Sequence, residues 1–220
     1  MTATDKAQLT YVTDTYCIWC WAFGDALREF AEANRDRLSV DVLPAGMLVG
    51  ERVVPVGQKD RVLEGAERVT EMTGAQFGDD FRAAVREGST VLDSTVSAVA
   101  FWALRRQAPE RPLDIAHALQ KAWYVDGLDL ARPEVLAGVA RDLHLDPEQA
   151  VRDAADPAVL AEAQAGFERR KTLPVPGYPT LLLHTPAGPK RMGGARVTPE
   201  KLTQQFERLM RGEELPAEED

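Results

Sequence analysis

Tyr16-Cys17-Ile18-Trp19-Cys20-Trp21 holds the only two cysteines of the 220-residue chain, spaced C-x-x-C. Ahead of it, Leu9-Thr10-Tyr11-Val12-Thr13 is rich in β-branched and aromatic residues and reads as a strand. Behind it, Trp21-Ala22-Phe23, Ala26-Leu27 and Phe30-Ala31 recur at helical spacing, to an end near Asn34-Arg35-Asp36. The pair therefore sits where a strand hands over to the first turn of a helix. Unpaired N–H groups and the positive end of the helix dipole favour a thiolate there. The expectation is an exposed, acidic Cys17 and a buried Cys20, which lies about one turn on and can close a small disulfide ring. This is a site for thiol–disulfide chemistry.

Two other uses of the pair fit less well. Zinc wants four ligands, and the histidines His117, His144 and His184 are far apart and form no H-x-x-x-H pair, so no metal site is expected. A purely structural disulfide across so short a loop adds little chain-entropy stabilisation. No cofactor motif appears.

Composition bounds the rest. Hydrophobic residues at 45% and charged residues at 28% are those of an ordinary globular protein. A net charge of −9, from 26 basic against 35 acidic residues, argues against a nucleic-acid partner, and no basic stripe is interleaved with aromatics. The N-terminal Met1-Thr2-Ala3-Thr4-Asp5-Lys6-Ala7-Gln8 has no apolar core like a signal peptide's. No apolar run approaches the ~20 residues a membrane span needs. The reading is cytoplasmic, with no membrane partner, and there a lone C-x-x-C near a strand–helix junction is expected to be redox-active.

Along the chain, Leu38-Ser39-Val40-Asp41-Val42-Leu43 alternates apolar with polar and reads as a second strand. Strand, helix, strand makes a βαβ unit with parallel strands and a right-handed crossover. From about Gln58 to Lys171 the periodicity is helical. Val62-Leu63, Ala66, Val69 and Met72 mark one stripe, and Phe77, Phe81 and Val85 a shorter one. Ser94 reads as the N-cap of a helix carrying Phe101 and Trp102; Ile115, Leu119 and Trp123 mark the next, up to Asp126-Gly127. Trp102 and Trp123 read as core. Pro133, Asp146-Pro147 and Asp156-Pro157 are start signals for three more helices. Strands return at Pro179-Thr180-Leu181-Leu182-Leu183-His184 and, after a turn, Lys190-Arg191-Met192. Thr198-Pro199 starts a last helix with Leu202, Phe206 and Leu209, before an acidic tail at 213–220. The expected fold is α/β: residues 8–57 and 172–212 as one discontinuous domain, with residues 58–171 as an inserted helical domain.

Pro174-Val175-Pro176-Gly177-Tyr178-Pro179-Thr180 stands just ahead of the third long strand. Proline has no N–H, so sheet pairing stops there and leaves the Tyr178 backbone free for an extended peptide. X-Pro bonds cost only ~0.5–1 kcal/mol to hold in cis, although most are trans.

C-x-x-C after the first strand, a helical insertion, then Gly177-Tyr178-Pro179-Thr180 before a hydrophobic strand resembles the DsbA-like branch of the thioredoxin superfamily. Asp14-Thr15-Tyr16-Cys17-Ile18-Trp19-Cys20-Trp21-Ala22-Phe23-Gly24 is similar to its cytoplasmic FrnE-like members, as is Lys121-Ala122-Trp123-Tyr124-Val125-Asp126-Gly127-Leu128-Asp129-Leu130. The resemblance implies a thioredoxin-like fold and thiol–disulfide exchange with protein substrates. It implies Cys17 as nucleophile, Cys20 as resolving thiol, a cis bond at Tyr178-Pro179, and Trp19, Tyr178 and Pro179 as the substrate surface. Trp21 either joins that surface or faces the core. Glutathione or a thioredoxin-type protein would recycle the pair. Two features depart from the pattern: the long Arg169-Arg170-Lys171-Thr172-Leu173-Pro174 approach, and the absence of a histidine between the cysteines. Asp14 either accepts N–H groups at the helix start or relays a proton. The alternative is a glutathione-dependent isomerase or transferase of the 2-hydroxychromene-2-carboxylate isomerase or kappa class, which share the fold but usually keep a serine or a single thiol.

Overall fold

The computed structural model describes residues 6–216. Strand β1 (Ala7–Thr13), helix α1 (Ile18–Ala33) and strand β2 (Leu38–Pro44) form the first unit. β1 and β2 run parallel, with Leu9 beside Val40 and Tyr11 beside Val42. Two strands of two residues each, β3 (Val54–Pro55) and β4 (Val91–Leu92), make a separate antiparallel ribbon. β5 (Thr180–Thr185) joins the free side of β1 antiparallel, and β6 (Gly188–Met192) follows as its hairpin partner. The main sheet therefore has the order β2-β1-β5-β6.

β1 is central and buried on both faces. Leu9 and Tyr11 look into the main core with Phe23, Leu27 and Phe30 of α1. Val12 looks the other way, toward Leu43 and Ala45, and that small cluster is closed by Leu173, Val175 and Tyr178. The approach to β5 is thus held against the end of β1, where Cys17 begins its helix. Leu9, Phe23, Leu27, Phe30, Val12 and Leu43, at 1% exposure or less, each stabilise the fold by about 1.5–3 kcal/mol.

The helices between the two halves are α2 (Val62–Thr73), α3 (Asp79–Glu87), α4 (Ser94–Gln107), α5 (Pro112–Tyr124), α6 (Pro133–Asp142), α7 (Pro147–Ala154) and α8 (Pro157–Lys171). α9 (Pro199–Met210) closes the fold and lays Phe206 edge-on to Phe30, with ring centroids 5.9 Å apart. Proline stands at the first turn of α5, α6, α7, α8 and α9, where its missing N–H costs nothing. Side-chain caps from Asp146, Asp156 and Thr198 accept N–H groups of α7, α8 and α9. One cap differs from expectation. Asp93, not Ser94, caps α4 by accepting the N–H of Thr95 at 2.7 Å. Ser94 is the first helical residue, and its hydroxyl is used elsewhere.

Two glycines bring α3 against the end of α5. A Cβ on Gly78 would lie 1.9 Å from the carbonyl oxygen of Val125. Gly127 has φ +62° and packs on the backbone of Asp80. This close approach builds an aromatic cluster from Phe77, Phe81, Trp123 and Tyr124, with Tyr16 edge-on to Trp123 at 6.0 Å. The helical segment is thereby packed against the residue preceding Cys17. We propose the division into a discontinuous domain, 8–57 and 172–212, and an inserted one, 58–171. Among the described residues, the β3–β4 ribbon is the one strand pairing that crosses this division.

Candidate active site

Cys17 is itself the N-cap of α1, with φ −86° and ψ 107°. Its carbonyl accepts the N–H groups of Cys20 at 2.9 Å and Trp21 at 3.1 Å. Its Sγ accepts the N–H of Cys20 at 3.3 Å, an orphan donor of the first helical turn. On its outer side Sγ donates to the carbonyl of Tyr178 at 3.7 Å, and the Tyr178–Pro179 bond is cis. The fold thus brings Cys17, Cys20, Tyr178 and Pro179 together from its two halves. Both cysteines are free thiols.

Cys20 is fully buried, but Cys17 is only 6% exposed, so the expectation of an open nucleophile is corrected. The expected acidity is corrected too. The hydrogen bond to Cys20, then burial, then repulsion from a charged Cys20 push the Cys17 thiol well above its ordinary value. The N–H of Cys20 pulls the other way. Tyr11 lies beneath the two thiols, its hydroxyl donating to the carbonyl of Cys20 at 3.3 Å, with its own ionisation pushed up by burial first and by Cys20 next.

Asp14 carries more of the architecture than its place in the sequence shows. It is 2% exposed and accepts three hydrogen bonds. Oδ1 takes the N–H of Tyr16 at 3.1 Å and the hydroxyl of Ser94 at 2.9 Å; Oδ2 takes the N–H of Met47 at 2.8 Å. Ser94 in turn accepts the N–H of Leu48 at 2.9 Å. Gln120 of α5 donates to the carbonyl of Asp14 at 3.3 Å, and that carbonyl accepts from Cys17 at 3.1 Å. One carboxylate therefore ties the Cys17 turn to the 47–48 loop and to α4. Burial raises its pKa above the ordinary carboxylate value, although all three hydrogen bonds pull the other way.

The aromatic residues divide. Tyr178 is half-buried beside Cys17, and the guanidinium of Arg170 stands 5.9 Å above its ring. Trp19 is half-buried against the main core. Trp21 turns toward the helical segment, donating to the carbonyl of Gln76 at 3.0 Å and stacking on His117 and Tyr124. No group of three or more His, Cys, Asp or Glu able to hold a metal occurs among the described residues. Among the same residues, no helix is long and apolar enough to cross a membrane. From the sequence, no site role fell to Met47, Ser94, Gln120, Arg52 or Arg170. Asp14 gathers Met47, Ser94 and Gln120 from 33, 80 and 106 residues away.

A βαβ unit continued by an antiparallel hairpin, with C-x-x-C at the strand–helix handover and an X-Pro turn against its first sulfur, defines a thioredoxin-fold thiol protein. Residues 8–207 match the DSBA-like thioredoxin domain family, and the chain belongs to it. Its fold is similar to that of the cytosolic disulfide reductase DsbM from Pseudomonas aeruginosa, at 24% identity and TM-score 0.79, over 93% of this chain and 98% of that one. The same reductase with GSH superposes at TM-score 0.73 and 24% identity, over 93% and 99% of the two chains. A protein disulfide isomerase candidate from Nitrosomonas europaea does so at TM-score 0.79 and 20% identity, over 94% and 98%. Among curated proteins, none matches the chain.

Proposed function

We propose that this protein is a cytoplasmic thiol–disulfide oxidoreductase that exchanges disulfides with protein substrates through Cys17 and Cys20. The observation that carries the proposal is the position of the Cys17 sulfur, between the N–H of Cys20 and the carbonyl of Tyr178. The first contact stabilises charge on an attacking or leaving sulfur. The second marks where a substrate chain would run: among the described residues the N–H of Tyr178 has no backbone partner. Tyr178, Pro179 and Trp19 form the surface that holds that chain.

In the reducing direction the Cys17 thiolate attacks one sulfur of a substrate disulfide, and the other sulfur leaves as a thiolate that takes up a proton. Cys20 loses its proton and attacks the Cys17 sulfur, releasing the substrate's second thiolate. Two electrons pass from the enzyme dithiol to the substrate, and the enzyme ends as a Cys17–Cys20 disulfide. Glutathione or a thioredoxin-type protein restores the dithiol by the reverse exchange. That a DSBA-like relative of similar fold is described with GSH supports glutathione in this role. A glutathione-dependent isomerase would use Cys17 alone and leave Cys20 idle.

Cys20→Ser separates the two readings. Without the resolving thiol, Cys17 should accumulate mixed disulfides with cytosolic proteins, seen on a non-reducing gel and abolished in the added Cys17→Ser background. Glutathione adducts alone, with turnover of a small aromatic substrate retained, would move the assignment to the isomerase.

A further inference from the structure

Two arginines stand beside the Cys17 mouth without a carboxylate to face. In the run Arg169-Arg170-Lys171 at the end of α8, Arg169 pairs with Asp41 at 3.0 Å and Lys171 with Glu168 at 2.6 Å. Arg170 between them pairs with no acid among the described residues, and its Nε is buried without a hydrogen-bond partner. Its guanidinium lies over the ring of Tyr178, whose carbonyl touches the Cys17 sulfur. Arg52 approaches from the other half of the fold. It ends the short 3-10 turn Gly50–Arg52, just past Met47 and Leu48, which Asp14 and Ser94 anchor by hydrogen bonds. It is exposed, and it too has no acid within 4.0 Å among the described residues. Its positive charge is felt at Tyr178, whose carbonyl takes the Cys17 thiol, and at Asp14, whose carbonyl accepts the Cys17 N–H.

In a chain of net charge −9, two cations near Tyr178, neither paired with an acid among the described residues, need a reason. An unpaired guanidinium with a buried Nε is a poor resting state and a good carboxylate receptor, because its planar fork matches a carboxylate in two bonds. We propose that Arg52 and Arg170 form a two-point receptor for the carboxylates of a small acidic thiol, which exchanges at Cys17 as its disulfide. This deepens the oxidoreductase reading and rests on it. With Cys17 only 6% exposed, correct alignment at its sulfur matters, and the nearby charges would hold the carboxylates of a small disulfide while the sulfurs align. The exchange balances. Cys17 attacks one sulfur of the small disulfide and expels one acidic thiol; Cys20 then expels the second, and the two electrons of the enzyme dithiol end on the two released thiols.

The test uses Arg52→Gln, Arg170→Gln and the double variant of the full chain. Oxidised glutathione, which carries carboxylates on both halves, is compared with uncharged 2-hydroxyethyl disulfide. The ratio of kcat/KM for the charged to the uncharged substrate should fall about tenfold for each arginine, the size of one charge-assisted hydrogen bond. The fall should come mainly in KM and shrink in high salt. Binding of S-methylglutathione, which cannot exchange, should weaken by a similar factor, and Arg52→Lys should recover part of it. An unchanged ratio with unchanged S-methylglutathione affinity overturns the receptor. So does an equal loss on a protein disulfide such as insulin, which would make the arginines a general substrate feature. A wild-type protein that turns over neither disulfide overturns the oxidoreductase reading instead, while S-methylglutathione binding still decides the receptor.

Discussion

Replacing Asp14 by Asn keeps the shape of the side chain and changes its charge and its donors, so its consequences can be worked out atom by atom. Oδ1 accepts from Tyr16 N and Ser94 Oγ, and Oδ2 accepts from Met47 N. Asparagine has one acceptor oxygen. Whichever way the amide is turned, its NH2 faces a backbone N–H, of Met47 or of Tyr16, and that donor is left unpaired. The loss is about 1–3 kcal/mol for one orphaned donor. Relief works against it: a carboxylate 2% exposed pays for its desolvation, as its raised pKa records. The sign of the pH dependence follows. Below the ordinary carboxylate value of about 4, Asp14 is protonated in both states and costs nothing. As pH rises from there through the higher folded value, the unfolded chain ionises first, and stability is lost. Above the folded value the penalty stays constant. Urea titrations across pH 3–8 should therefore show the wild type losing stability over that window and the Asn variant with a flatter profile. The charge on Asp14 also raises the Cys17 pKa, so alkylation of the variant should begin at lower pH. An Asn variant with the wild-type pH profile in both assays would refute the placing of a charged, buried Asp14 beside Cys17.

Other outcomes follow from the packing and the site. Trp123→Ala removes a fully buried ring from the cluster that packs on Tyr16, and should cost about 3–5 kcal/mol in urea unfolding. Gly78→Ala sets a methyl 1.9 Å from the Val125 carbonyl; the backbone must shift, and thermal melting should show a loss of about 1–3 kcal/mol or more. Thr198→Ala removes the side-chain cap of α9 and should cost about 1 kcal/mol. In iodoacetamide labelling of the reduced wild type, the Cys17 rate should rise with pH to a midpoint above the free-thiol value of about 8.5.

The long elements were legible because each carries its own signal. β1 is dense in β-branched and aromatic residues, β2 alternates, α1 follows its apolar stripe, and prolines 133, 147, 157 and 199 each stand where a helix begins. The β3–β4 ribbon was not legible, since two residues per strand cannot show a period. Ser94 and Asp93 are both able to cap. The choice between them is made by Asp14, 80 positions away, which takes the Ser94 hydroxyl. Cys17 was read as open and acidic from local helix geometry alone. Its covering by Tyr178, 161 residues on, is a tertiary fact, and its hydrogen bond to Cys20, though local, raises its pKa where helix geometry alone suggests the opposite. Arg170 looks in sequence like one cation of a basic run; only the pairing of its two neighbours singles it out.

The central claim is that Cys17 and Cys20 form a reversible two-electron couple used for exchange. Equilibrating the protein against graded dithiothreitol or glutathione buffers, and counting free thiols by mass after alkylation, tests it directly. The account predicts a single two-electron transition between free dithiol and intramolecular disulfide, absent in Cys17→Ser, with a midpoint in the range of roughly −270 to −120 mV spanned by thioredoxin and DsbA. A pair that forms no disulfide in any buffer, or one whose disulfide lies below about −300 mV like a structural bridge, would contradict it.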